Sequence, residues 1–90
     1  MVGESEVMNY LDIKDRVRLI KIIPINHSEI PEHYKCLEVG DIGTVIEVYH
    51  NSVSVIVDGK VNVKSKKNYF RLSAEGLELK GERDRESKII

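Results

Sequence analysis

Ninety residues, 41% of them hydrophobic and 32% charged, suffice for one small domain and leave little interior for both a core and a constructed active site. The net charge of −1 and the absence of any long apolar run argue against a membrane span, which needs roughly 20 consecutive apolar residues. The opening MVGESEVMNY lacks the basic and apolar regions of a secretory signal, and the single cysteine, Cys36, has no internal partner; a cytoplasmic protein in a reducing compartment is expected.

Residues 1–13 are acidic and aperiodic and are expected to form a flexible N-terminal segment ahead of a domain over residues 14–80. A first strand is predicted over 15–23, where Val17 and Leu19 alternate with Arg16 and Arg18 until Pro24 interrupts the pattern. A long loop over 24–41 follows. Loops longer than about 12–15 residues are uncommon in compact domains and often functional. Ile25, Ile30, Tyr34 and Leu37 are its candidate anchors to the domain.

Strands are predicted next over 42–49 and 53–58, rich in β-branched residues, with Val53, Val55 and Val57 on one face and Ser54 and Asp58 on the other. His50-Asn51-Ser52 is a short polar link, and Asp58-Gly59 is a strong hairpin signal, so a further strand is predicted over 61–64. Residues 66–70 are expected to make a tight turn, of 3₁₀ type, into a last short strand near 70–72 or 77–80. Residues 81–90 mix both charge signs without an apolar face and are expected to form a charged C-terminal tail. The expected core is Val17, Leu19, Val45, Ile46, Val48, Val55, Val57, Val61, Val63, Phe70 and Leu72.

Charge is segregated along the chain. Lys14, Arg16, Arg18 and Lys21 against Asp15 give residues 14–21 a local +3, and Lys60, Lys64, Lys66, Lys67 and Arg71 give residues 60–71 a local +5 with no acid. Residues 22–59 carry only Lys35 against six acidic residues, a local −5. If the fold keeps these segments apart, one basic and one acidic region result.

Five short strands, a long first loop and a turn before the last strand resemble the all-β, SH3-like small barrel. Within that architecture, Val39-Gly40-Asp41-Ile42-Gly43-Thr44-Val45-Ile46-Glu47-Val48 followed by Val53-Ser54-Val55 resembles the KOW motif of ribosomal proteins and elongation factors. Val17-Arg18-Leu19, the Pro-containing loop, Gly40-Asp41-Ile42-Gly43-Thr44-Val45 and Asn68-Tyr69-Phe70 are similar in layout to the electron-transport accessory group, which includes photosystem I subunit IV and the ferredoxin–thioredoxin reductase variable chain. The first resemblance implies nucleic-acid binding; the second implies docking to a larger complex. Lys67-Asn68-Tyr69-Phe70 also resembles the turn before the last strand of signalling SH3 domains. Those domains grip PxxP ligands with aromatics that usually include Trp, and this chain has none.

The candidate binding residues are Arg16, Arg18, Lys60, Lys64, Lys66, Lys67 and Arg71, whose cations can neutralise phosphates and release counterions, with Tyr69 available to stack on a base. Phe70 is assigned to the core. His27, His33, Glu29 and Glu32 lie close in sequence, but their spacing matches no structural zinc pattern, so no metal and no cofactor are expected. Cys36 with His33 lacks an orienting or oxyanion-stabilising element and reads as a small apolar group tucked into the loop. The glycines fit turns rather than a phosphate-cradling loop before a helix. A non-enzymatic binding module without a small-molecule substrate is expected. Its partner is nucleic acid on one reading and an acidic protein, met by an accessory docking subunit, on the other.

Overall fold

The computed structural model describes residues 10–81; the expected tail from residue 82 onward, and the first nine residues of the expected N-terminal segment, lie outside them. Five strands, β1 (Arg16–Leu19), β2 (Ile42–Val48), β3 (Ser52–Val57), β4 (Phe70–Ser73) and β5 (Leu77–Leu79), form one antiparallel sheet in the order β4-β3-β2-β1-β5. The chain is all-β apart from two 3₁₀ turns, Glu32–Tyr34 and Ala74–Gly76. Among the described residues no helix is long and apolar enough to cross a membrane.

Alternation makes β1 what it is. Val17 and Leu19 are fully buried while Arg16 and Arg18 face out, and Val17 lies opposite Gly43 of β2. A Cβ at Gly43 would stand 2.5 Å from Val55 Cγ1 and 2.8 Å from the Ile56 carbonyl oxygen, so only glycine admits the close approach of β3. Between Val45 and Glu47 the β2–β3 register shifts, a bulge that takes Ile46 out of the core alternation; Ile46 and Val48 are half-buried, not fully buried as expected.

The larger departure is at 61–64. Val61 and Val63 read as strand and core residues, yet they are 64% and 78% exposed. The preceding Asp58-Gly59 turn forms, with Gly59 at a φ of 77°, but the next ladder waits until Phe70. Two asparagines account for the delay. Asn62 donates from Nδ2 to the Tyr69 carbonyl at 2.7 Å and accepts from the Lys64 N–H at 3.0 Å. Asn68, in the left-handed region at a φ of 63°, accepts from the Asn62 N–H at 2.7 Å and donates to the Lys60 carbonyl at 3.2 Å. Side-chain bonds to the backbone compete with a ladder for the same groups, and here they fold residues 58–69 into successive turns. Where one last strand was expected, near 70–72 or 77–80, both β4 and β5 form; the 3₁₀ turn expected at 66–70 is instead a simple turn, and a 3₁₀ turn lies between β4 and β5, capped by Ser73 Oγ accepting from the Glu75 N–H.

The core comprises Val17, Leu19, Val45, Val53, Val55, Val57, Phe70, Leu72 and Leu77 with Leu11, Tyr34, Leu37 and Ala74. Leu11, read from sequence as part of the segment preceding the domain, is 4% exposed, and the Tyr10 hydroxyl donates to the Leu77 carbonyl. The long loop between β1 and β2 is closed at its base by Leu19, whose N–H donates to Asp41 O at 2.8 Å and whose carbonyl accepts from the Gly40 N–H at 2.7 Å. Farther out, Pro24 bridges antiparallel to Leu72, with the Ile25 N–H on Arg71 O and the Ser73 N–H on Ile23 O. Of the four expected anchors, Tyr34 and Leu37 are buried, Ile25 is half-buried and Ile30 is 41% exposed.

Candidate functional site

The turns at 58–69, the loop residues His33 and Tyr34, and Glu47 of β2 enclose an open cleft of about 430 Å³, lined also by Asn62, Lys64, Ser65, Lys66, Lys67 and Tyr69. Three of the lining groups are lysines held on a backbone that Asn62 and Asn68 have fixed. Among the described residues no carboxylate lies within ion-pair distance of Lys64, Lys66 or Lys67. Tyr69 is half-buried along the same wall, while Phe70, one residue on, is fully buried.

One flank of the cleft is built by register. Glu47 lies opposite Ser54, and Ser54 opposite Arg71, on three adjacent strands. The Arg71 guanidinium stacks on the Tyr49 ring with 3.8 Å from its carbon to the ring centroid, a cation–π contact. The Tyr49 hydroxyl donates to Glu47 Oε1 at 2.8 Å. That bond, the neighbouring Ser54 hydroxyl and the charges of Lys67 and Arg71 hold the Glu47 carboxyl below its ordinary range; reciprocally, the bond to Glu47 pushes the Tyr49 hydroxyl up. At neutral pH this wall therefore presents a carboxylate among cations.

Arg71 is held from the loop side as well. Its backbone N–H donates to the Tyr34 hydroxyl at 3.0 Å. The Tyr34 ring packs edge-on against Phe70 and His33, with centroids 5.2 and 4.9 Å apart.

The structure divides the candidate binding residues. Lys64, Lys66, Lys67 and Tyr69 line the cleft, and Arg71 adjoins it through Tyr49 and Glu47. Arg16, Arg18 and Lys60 do not line it. Arg16 makes a two-pronged ion pair with Asp58, at 2.6 and 3.3 Å, and donates to Thr44 Oγ1 at 2.7 Å; Arg18 pairs with Glu78 at 2.7 Å; Lys60 Nζ reaches the Cys36 carbonyl at 2.8 Å and Asp41 at 3.6 Å. The fold thus interleaves the basic and acidic segments that the sequence separates, and of the candidate residues the cations left without an ion pair among the described residues are those at the cleft. The Arg16 hydrogen bond and charge hold Asp58 below the ordinary carboxylate range.

Two contributors were not visible in the sequence, Glu47 and Tyr49. Both sit in a predicted strand, and only the pairing of β2 with β3 and β4 sets them beside Arg71. Cys36 is exposed rather than tucked in, its thiol 3.7 Å from the Val61 carbonyl. Among the described residues no three His, Cys, Asp or Glu side chains are grouped to hold a metal ion. Comparison with protein-family models, curated proteins and solved structures found no match.

Proposed function

We propose that this chain is a non-enzymatic binding module, an SH3-like small barrel in organisation, that docks nucleic acid through the face carrying Lys64, Lys66, Lys67, Tyr69 and Arg71. Five short strands, the long loop between β1 and β2, the 3₁₀ turn before β5 and the Pro24–Leu72 bridge that returns the chain beyond β1 to β4 support the barrel reading. The observation that carries the function is the cleft, in which three lysines with no carboxylate in ion-pair distance among the described residues flank an accessible tyrosine. Lysines there suit phosphates, and an aromatic wall suits a base. Arg16, Arg18 and Lys60, already engaged with carboxylates, fall to a supporting role. The reading takes the protein as cytoplasmic, in keeping with an exposed, unpaired thiol.

The test is binding of single-stranded oligonucleotides across a salt series. Affinity should fall steeply, with a log–log slope of about −0.7 per phosphate neutralised. Replacing Lys64, Lys66 and Lys67 together by Glu should abolish binding and leave the fold intact.

A second reading is favoured by Val61 and Val63, exposed in the same run of turns. Apolar groups beside cations suit an acidic protein met by an accessory docking subunit. On that reading no nucleic acid binds at low salt, and the triple change releases an acidic protein partner instead.

A further inference from the structure

Glu47 is out of place in a site whose only task is to neutralise phosphate. A carboxylate in the wall repels the backbone of any nucleic acid, and the strand register has set it there with Tyr49 as a hydrogen-bonded support. An ionised carboxylate offers only acceptors, roughly four lone-pair sites in all, so the hydroxyls of Tyr49 and the neighbouring Ser54 leave it capacity for a ligand. Lys67, a pure donor, lines the same cleft. Its charge acts on Glu47.

The geometry points to Glu47 as the residue that selects guanine, by accepting from the Watson–Crick edge of an unpaired base placed in the cleft against Tyr69. This rests on the nucleic-acid reading above and adds the base. Guanine alone presents two adjacent donors on that edge, N1–H and the N2 amino group, to which a carboxylate can bond with both oxygens; beside them lies the O6 acceptor, for which Lys67 is a donor. Cytosine and adenine each offer one amino group next to a ring nitrogen that repels a carboxylate, and uracil offers one N–H between two carbonyls. Duplexes bury this edge in base pairing, whereas single strands and loops expose it. At about 430 Å³ the cleft falls in the size range of small-ligand sites.

The experiment uses the full chain and four oligouridylates that carry a single central guanine, adenine, cytosine or uracil, with binding read by fluorescence anisotropy at low salt. The guanine oligonucleotide should bind about tenfold more tightly than the adenine, cytosine and uracil ones, the discrimination of one two-pronged contact. Glu47→Gln, which keeps the size of the side chain and an oxygen for Tyr49, should bring the four to one affinity while leaving the uracil oligonucleotide unaffected or slightly tighter. Tyr69→Ala should weaken all four alike. Equal binding of the four by the unaltered protein, or a guanine preference that survives Glu47→Gln, overturns the guanine assignment and leaves the nucleic-acid reading standing. Failure of every oligonucleotide to bind overturns both.

Discussion

The hydroxyl of Tyr34 serves both main-chain groups of Arg71, accepting from its N–H at 3.0 Å and donating to its carbonyl at 3.4 Å. A residue of the long loop thereby supplies what a neighbouring strand would otherwise supply to β4. On the other side the Arg71 guanidinium lies over Tyr49, so two tyrosines from different elements fix one arginine. Replacing Tyr34 by Phe strips the hydroxyl and keeps the ring. A part-buried N–H without its acceptor costs about 1–2 kcal/mol, and chemical denaturation should show that loss; a change near zero would mean that water replaces the hydroxyl freely.

Two valines that look alike in sequence should behave differently. Val55 is fully buried in β3, and its replacement by Ala should cost about 1–3 kcal/mol through lost transfer and cavity terms. Val63 is 78% exposed, and the same change there should stay within about 0.5 kcal/mol. Equal losses at the two positions in urea denaturation would restore a strand over 61–64.

Asn62 is expected to matter to both stability and binding. Its side chain holds the Tyr69 carbonyl and the Lys64 N–H, so Asn62→Ala should destabilise by about 1–3 kcal/mol and weaken oligonucleotide binding, because the lysines lose their fixed frame. At Asn68 the positive φ of 63° adds a backbone requirement. Alanine there should cost about 1 kcal/mol more than glycine, measured in the same denaturation series.

Acid should act on the Arg16–Asp58 pair with a definite sign. The Asp58 carboxyl titrates below its ordinary range when folded, because Arg16 bonds to its charged form, so the unfolded chain takes up the proton first as pH falls. The pair's contribution is complete above the ordinary aspartate value of about 3.9 and disappears as pH drops through the lower folded value. Arg16→Gln should move the Asp58 titration up toward the ordinary value in an NMR series and flatten the acid limb of the stability curve. An Asp58 titration unmoved by the substitution would place the cause elsewhere.

How far the sequence could be read follows from the range of the interactions involved. β1 and β2 announce themselves because apolar and polar residues alternate with a period of two over a few residues; β3 shows the same alternation of residue type, although Ser52 and Ser54 on its other face are buried as well. The same rule misleads at Val61 and Val63, whose β-branched side chains carry the right propensity while Asn62 and Asn68, six residues apart, bond to the backbone groups that a ladder would need. The lysines of the cleft were legible as a run of charge. The neutralisation of Arg16, Arg18 and Lys60 was not, since their partners Asp58, Glu78 and Asp41 lie 42, 60 and 19 positions away in the chain. Glu47 and Tyr49 were hidden for a related reason: their place beside Arg71 is set by the pairing of three strands, one of which carries a bulge at Ile46.

The bridge between Pro24 and Leu72 also bears on how the main chain is satisfied where the long loop meets β4. In the antiparallel pairing, Ile23 and Ile25 turn their main-chain groups toward β4, and the intervening residue, itself buried, turns its own away. That residue is proline, which has no N–H to give. A buried N–H without an acceptor costs free energy comparable to a lost hydrogen bond; here there is none, so the longest loop is fastened to β4 without leaving a donor unmet at its tightest point.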